Sequence, residues 1–200
     1  IEREKPGNYW VVALYINRLE LIVASILPAE PIFPSRSRVM DEQKSVELLE
    51  PRFEHGHFLL IAGLGAPFTQ QTTAGIPALW EKFSPHIGNV PGQKGEVTYG
   101  VCCNFDGKGG FDYIAGVEIS KLDDLPEQYR WVEIQPQYYA VFEHKGPLES
   151  LSQTFRYICD TWLPQSGHQA ADAPEFERYS EDFNPRLNTG TLEIWLPIKA

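Results

Sequence analysis

The chain has 200 residues, of which 42% are hydrophobic and 12% aromatic, so it can bury a sizeable core as one domain or as two small halves. Its 27 acidic side chains outnumber its 17 basic ones, which gives a formal net charge of -10. Nucleic-acid affinity depends on neutralising phosphates with Lys and Arg, so this balance argues against a phosphate-binding surface and favours cationic partners.

The first 45 residues differ from the rest of the chain, because they hold six basic and six acidic side chains and none of the acidic excess. Residues 9–27 are apolar enough to span a bilayer, but Asn17, Arg18 and Glu20 at their centre would be costly in hydrocarbon. We therefore predict an amphipathic helix, or a helix and a strand, that docks on the domain or on a second subunit. Prolines in residues 28–35 exclude regular structure and indicate a linker.

The sequence has none of the signatures of a metal, cofactor or catalytic-triad site. Its three cysteines, Cys102, Cys103 and Cys159, lack metal-ligand spacing, and its five histidines are scattered. A glycine-rich phosphate loop is also missing, as is a secretory leader pattern. We interpret the cysteines as reduced packing thiols in a cytoplasmic protein without a cofactor.

The hydrophobic pattern of the middle of the chain predicts a strand, a helix and two further strands. Residues 58–64 form the predicted strand, and residues 65–67 lead into a helix with Ile76, Leu79, Trp80 and Phe83 at helical spacing. Strands are then predicted at 97–104 and 113–119, joined by a glycine-rich turn at 106–110.

The second half of the chain repeats this order. It has a strand at 138–143, a helix with one apolar face over 148–162 that ends at Pro164, and strands at 176–180 and 192–198. We infer an α+β domain at 46–200, built from two strand-helix-strand-strand halves at about 48–120 and 132–200. Such halves commonly pack about a pseudo-twofold axis, and a cleft between them is the natural ligand site.

The last strand carries the first functional indication. Its alternation places Leu192, Ile194 and Leu196 on one face and Glu193 and Trp195 on the other. A carboxylate within an apolar strand is costly unless it is paired or wet. Two interpretations are open: an edge strand with Glu193 in solvent, or the floor of a pocket for an apolar, positively charged ligand.

Several segments carry a resemblance to a known family. Residues 139–147, 162–167, 176–179 and 192–198 together resemble the effector-binding domain of AraC-type and MerR-type transcription regulators and of gyrase-inhibitory-protein-like (GyrI-like) proteins. Residues 99–101 and 113–119 are similar to the first half of that domain. The resemblance covers about residues 48–200 and implies a duplicated α+β fold whose cleft binds lipophilic cations.

The resemblance also implies particular binding residues. The family has a buried Glu in its last strand, which corresponds to Glu193, and aromatic cleft walls, among which Trp195 takes a position of variable identity. Glu177 and Tyr179 match the second motif of the family. Two further candidates for the ligand site are Tyr99 and Tyr113, which are equally suited to packing.

The chain departs from the regulators of this family at its amino terminus. Residues 1–45 are too short and too evenly charged for two helix-turn-helix units, or for a winged helix with a coiled coil. We therefore expect no direct nucleic-acid binding by this chain and no membrane partner. It is either a stand-alone domain, with a homodimer possible, or part of a longer regulator.

Three functions remain open from the sequence. The first is a non-catalytic domain that senses or sequesters a lipophilic cation. The second is a hydrolase of reactive electrophiles, in which a desolvated Glu beside a Tyr serves as general acid or base. The third is inhibition of a protein partner such as DNA gyrase through the acidic surface.

Overall fold

The structure is a computed structural model that describes residues 50–69, 71–184, 186, 187 and 189–199. The predictions for residues 1–45, including the docking helix at 9–27 and the linker at 28–35, lie outside the described residues.

The described residues form one antiparallel sheet of eight strands. These strands are β1 Arg52–His55, β2 Leu59–Thr69, β3 Gln93–Cys103, β4 Gly110–Ile119, β5 Tyr129–Ile134, β6 Tyr138–Glu143, β7 Glu175–Tyr179 and β8 Leu192–Pro197. Their order across the sheet is β1-β6-β8-β7-β3-β4-β2-β5, and every neighbouring pair is antiparallel.

The strand order is symmetric about the central pair of β3 and β7. Outward from that pair, β4 and β2 follow on one side, and β8 and β6 follow on the other. Strands β2, β3 and β4 of the first half thus take the positions of β6, β7 and β8 of the second. This order confirms the predicted α+β fold of duplicated strand-helix-strand-strand units with pseudo-twofold symmetry.

The two outer strands, β1 and β5, were not expected from the sequence. Strand β1 precedes β2, the first strand of the first strand-helix-strand-strand unit, but pairs with β6 of the second, whereas β5 precedes β6 but pairs with β2. Each outer strand thus pairs with the unit other than the one that follows it in the chain. The residues of β1 are mostly exposed, as are the middle residues of β5, so neither strand has the apolar alternation that predicts one.

Two helical regions lie between the strands. The first is α1 at Ile76–Phe83, with 3-10 turns on either side at Thr73–Gly75 and Ser84–His86. The second starts with a 3-10 turn at Leu148–Ser150 and continues as α2 at Leu151–Arg156, a π-helical turn at Tyr157–Trp162 and α3 at Leu163–Gln165.

The second helical region runs past the proline that was expected to end it. The backbone N–H of Leu163 donates to the carbonyl of Ile158, five residues earlier, as in a π-helix. A wider turn of this kind relieves the clash of the Pro164 ring with the preceding turn, because the carbonyl that the ring would meet is displaced. The chain remains helical to Gln165.

Strand β2 likewise extends past its predicted end, through Pro67 to Thr69. Its pairing with β5 stops at Leu64, whereas its pairing with β4 continues and places Pro67 opposite Asp112. Pro67 therefore sits where β2 has a neighbour on one side only, a position at which the missing N–H of proline is tolerated.

The sheet has two faces with different surroundings. Helices α1 and α2 cover the first, which we call the helical face, and its buried core includes Ile76, Phe83, Phe142, Phe155 and Ile194. The second, which we call the open face, carries a buried cluster made by strand residues alone. Its members are Leu59, Ile61, Tyr99, Val101, Cys103, Ile114, Ile134, Tyr139, Val141, Phe176 and Trp195.

Candidate functional site

A cleft of about 300 Å³ opens on the open face of the sheet, where the two halves meet. This volume is at the lower end of the range of small-molecule sites. The residues that line it come from every strand except β4 and from the loop after β1: Arg52, Glu54, His55, Gly56, His57, Leu59, Tyr99, Ile134, Tyr139, Phe176, Arg178, Glu193 and Trp195.

Four aromatic side chains form a continuous wall in this cleft. The rings of Phe176 and Trp195, which face each other across the β7–β8 ladder, stack with centroids 5.2 Å apart. Tyr139 contacts both edge-on, at 5.4 and 5.5 Å, and Tyr99 contacts Phe176 at 6.0 Å. All four residues are buried, so their rings form a packed and mainly apolar wall.

Glu193 lies beside this wall and has three hydrogen-bond donors. Arg52 Nη2 donates to its Oε1 at 2.8 Å, while Trp195 Nε1 and Arg178 Nη1 donate to Oε2 at 3.0 and 3.4 Å. The carboxylate is therefore paired, and it does not project into solvent from an edge strand, because β8 lies between β6 and β7.

The guanidinium of Arg52 covers the aromatic wall. Its Cζ lies 5.7 Å from the centroid of the Trp195 ring, within the range of a cation–π contact. Its Nε also donates to Glu54. Partial burial lowers the pKa of Arg52, but the hydrogen bonds and charges of Glu54 and Glu193 outweigh it and raise the pKa above its usual value.

Tyr139 is the deepest polar residue of the cleft, with 1% of its surface exposed. Its hydroxyl has no hydrogen-bond partner among the described residues, and burial raises its pKa. An unpaired buried hydroxyl is uncommon in folded proteins, because it has lost its bonds to water without replacement.

A second buried glutamate, Glu177, lies on the helical face. The hydroxyls of Tyr113 and Tyr179 donate to its Oε2 at 2.9 and 2.7 Å, and Trp80 Nε1 donates to the Tyr113 oxygen at 2.9 Å. Burial raises the pKa of Glu177, and these two hydroxyls partly oppose the shift. The Glu–Tyr arrangement that a hydrolase would need is thus found on the face opposite the cleft.

The central glycine of β3 makes room for this second cluster. Gly100 pairs with Glu177 across the β3–β7 ladder, and a Cβ on Gly100 would come within 2.1 Å of the Tyr113 hydroxyl oxygen and 2.5 Å of Glu177 Oε2. No side chain larger than hydrogen fits here without movement of the hydrogen-bonded pair.

The structure therefore divides the six predicted site residues into two groups of three. Glu193, Trp195 and Tyr99 line the cleft. The other group, Glu177, Tyr179 and Tyr113, forms the hydrogen-bonded cluster on the helical face. A ligand role for any of the six stays a prediction.

The sequence analysis named only three of the thirteen cleft residues, and the missed ones include Arg52, Tyr139, Phe176 and Arg178, which complete the aromatic wall or donate to Glu193. Phe176 and Arg178 alternate with Glu177 and Tyr179, so a known β7–β8 register would have placed them opposite Trp195 and Glu193. Arg52 reaches the cleft through the pairing of β1 with β6, for which the local pattern gives no signal.

Two further observations concern chemistry and location. In the part of the chain that the structure describes, no group of three or more His, Cys, Asp or Glu residues is placed to hold a metal ion. Among the described helices, none combines the length and apolar character required to cross a membrane.

The duplicated fold and the aromatic cleft with its buried carboxylate define a class of small-molecule-binding domains. The family model described as the GyrI-like small molecule binding domain matches residues 51–199, and the chain belongs to this family.

One relative and two solved structures show how the chain compares with known proteins. The transcriptional regulator BrlR of Pseudomonas aeruginosa is 31% identical over 125 residues, which are 62% of this chain and 46% of that protein. The chain thus spans less than half the length of this relative. SAV2435 bound to tetraphenylphosphonium superposes with a TM-score of 0.62 at 20% identity, over 75% of this chain and 94% of that one. The EcmrR C-terminal domain gives 0.55 at 12% identity, over 76% and 98%.

Proposed function

We propose that the cleft on the open face binds lipophilic organic cations and that the domain acts as a sensor or a sequestering module for them. Three features define such a site: a stacked aromatic wall, a buried carboxylate at its side, and a volume that suits a small molecule. None of them requires an exact ligand shape, so the predicted specificity is broad.

The observation that carries the proposal is the position of the Arg52 guanidinium. This planar, delocalised cation lies over the Trp195 ring and donates to Glu193. The site thus already holds a cation between an aromatic face and a carboxylate, which are the two elements that an organic cation requires.

The expected energetics agree with this assignment. A cation over an aromatic face gains about 0.5 to 2 kcal/mol, depending on its desolvation. Burial of flat apolar surface adds roughly 25 cal/mol per Å². The fold relationship to SAV2435, which is described with bound tetraphenylphosphonium, supports the same ligand class.

One relative supports a proposal for the biological setting. BrlR is a transcriptional regulator, and more than half of its length lies outside the match. We propose that this domain reports ligand occupancy to a DNA-binding unit in a longer cytoplasmic regulator or in a homodimer, and that it does not itself bind nucleic acid or membrane.

A matched pair of ions tests the proposal. Tetraphenylphosphonium and tetraphenylborate have nearly the same shape and opposite charge. A ligand that binds only the folded state raises the melting temperature by mass action. We expect a concentration-dependent rise with the phosphonium and a much smaller one with the borate. Equal shifts, or none with the phosphonium, would contradict a cation site.

A further inference from the structure

We propose that Arg52 is a built-in competitor of the ligand, whose guanidinium occupies the cation subsite and sets the affinity threshold of the cleft. This inference rests on the proposed function, since it concerns the same cleft. It assigns a specificity-determining role to the first residue of β1.

The geometry places Arg52 where the charge of a ligand has to go. Its Nη2 donates to Glu193 Oε1 at 2.8 Å, and its Cζ lies 5.7 Å from the centroid of the Trp195 ring. Because Trp195 Nε1 and Arg178 Nη1 already donate to Oε2, both carboxylate oxygens are engaged. An incoming cation gains full contact with Glu193 and the Trp195 face only after Arg52 has left.

The surroundings of Arg52 allow that exchange. Its side chain is 44% exposed, and its Nε is held by Glu54, which lies on the same edge strand and is itself 40% exposed. Exposed ion pairs such as Arg52–Glu54 are weak and are replaced by water at little cost, so the pair with Glu193, whose side chain is 11% exposed, is the contact that a ligand has to replace. Among the described strands β1 pairs with β6 alone, so the Arg52 side chain can turn away from the cleft without disturbing the core.

Arg178 provides the internal comparison. It contacts the same carboxylate, but at 3.4 Å and without a cation–π contact to Trp195. If simple repulsion by nearby positive charge weakens cation binding, Arg52 and Arg178 should matter about equally. If occupation of the subsite is what weakens binding, Arg52 should matter far more.

The test is isothermal titration of tetraphenylphosphonium into the full chain and three variants, Arg52→Gln, Arg178→Gln and Arg130→Gln. A binding-competent state that is populated only in part reduces apparent affinity by that fraction. We expect Arg52→Gln to tighten binding about tenfold on this basis, Arg178→Gln by about twofold or less, and the exposed Arg130→Gln on β5 to have no effect. Circular dichroism and melting temperature establish that each variant is folded.

The double variant Arg52→Gln/Glu193→Gln completes a cycle with the two single changes. Competition for Glu193 predicts that most of the gain from Arg52→Gln disappears when the carboxylate is absent. Unchanged or weaker binding in Arg52→Gln, or an equal gain from Arg178→Gln, overturns the competitor role.

These outcomes are separable from failure of the proposed function. If wild type binds the phosphonium in a Glu193-dependent way and Arg52→Gln gives no gain, the cation site stands and the competitor role is wrong. If neither wild type nor Arg52→Gln binds the phosphonium, both are wrong. If Arg52→Gln abolishes binding of tetraphenylborate while wild type binds it tightly, Arg52 is a direct contact for anions, which also contradicts both.

Discussion

Among the described residues, two glutamates on adjacent central strands are buried, and we propose that their surroundings give them different roles. Glu177 on β7 accepts from tyrosine hydroxyls that are themselves part of the helical-face core. Glu193 on β8 accepts from Arg52 and Arg178, whose side chains are 44% and 35% exposed at the cleft rim. Fixed neutral donors make the first carboxyl a structural element. Glu193 also accepts from the buried Trp195 Nε1, but its other two donors are charged side chains at the rim, and we propose that their exchange leaves this carboxylate available to a ligand.

Burial alone therefore does not identify a ligand-binding carboxylate. Both residues are less than a tenth exposed, and both have aromatic neighbours. What separates them is whether the groups that satisfy them can be replaced without disturbing the core.

The largest effect is expected where the helical-face cluster is forced apart. In Gly100→Ala, the new methyl would collide with Tyr113 and Glu177, so the free energy of unfolding should fall by roughly 2 to 4 kcal/mol. Gly75→Ala is the control, because its Cβ would meet nothing closer than a Phe68 side-chain atom at 3.3 Å. Urea denaturation of both variants measures the difference. Similar stabilities for the two variants would show that Tyr113 and Glu177 shift to accommodate the methyl group at little cost.

Removing one donor from Glu177 should cost less. Tyr113→Phe loses the hydrogen bond to Glu177 and the acceptor of Trp80 Nε1, so we expect a loss of about 1 to 3 kcal/mol. Affinity for a cleft ligand should change little, because Tyr113 lies on the helical face. Denaturation and titration of the same sample test both statements. A large loss of affinity at unchanged stability would place the ligand at Glu177 instead.

The two glutamates of β7 predict a distinctive pH dependence. Burial, with a smaller contribution from the charge of Glu177, raises the pKa of Glu175 from 4.5 to about 8. Because the pKa of Glu175 is higher in the folded state than in the unfolded state, protonated Glu175 stabilises the fold. This stabilisation is fully present below about pH 4.5 and is lost as the pH rises through about 8.

The melting temperature of wild type should therefore fall between about pH 5 and 9, and Glu175→Gln should flatten this slope. The exposed Glu127→Gln is the matched control. A slope that is the same in wild type and Glu175→Gln would show that Glu175 is not the group that titrates.

The smallest stability effect is expected on the open face. Tyr139→Phe removes a buried hydroxyl that has no partner among the described residues, so unfolding free energy should stay the same or rise by about 1 kcal/mol. The contrast with Tyr113→Phe is informative, since the two changes delete the same atom on opposite faces of the sheet. A loss as large as that of Tyr113→Phe would mean that the Tyr139 hydroxyl is hydrogen-bonded in solution.

The sequence was sufficient for the duplicated units of the fold, but not for the outer strands β1 and β5, and only partly for the site. The repeated order of strand, helix and two strands follows from local periodicity, which is why the duplication could be predicted. The pairing of β1 with β6 depends on contacts between distant segments, so Arg52 could not be placed beside Glu193.

Tyr179 and Glu177 show the same limit. The alternation of side chains shows which residues of β7 share a face. Only the register with β8 shows which of the two faces also carries Trp195. The resemblance grouped Glu193 and Trp195 with Glu177 and Tyr179, which the sheet separates onto opposite faces.

The central claim is that Glu193 supplies the charge that holds a lipophilic cation in the cleft. The most direct test is calorimetric titration of tetraphenylphosphonium and tetraphenylborate into wild type and Glu193→Gln. The substitution keeps an acceptor for Trp195 Nε1 and leaves Arg52 and Arg178 at the exposed rim, so stability should change by less than about 1 kcal/mol. Affinity for the phosphonium should fall by roughly 1 to 3 kcal/mol, the scale of a charge-assisted contact, while affinity for the borate stays the same or rises. Equal phosphonium affinities in wild type and variant would contradict the claim.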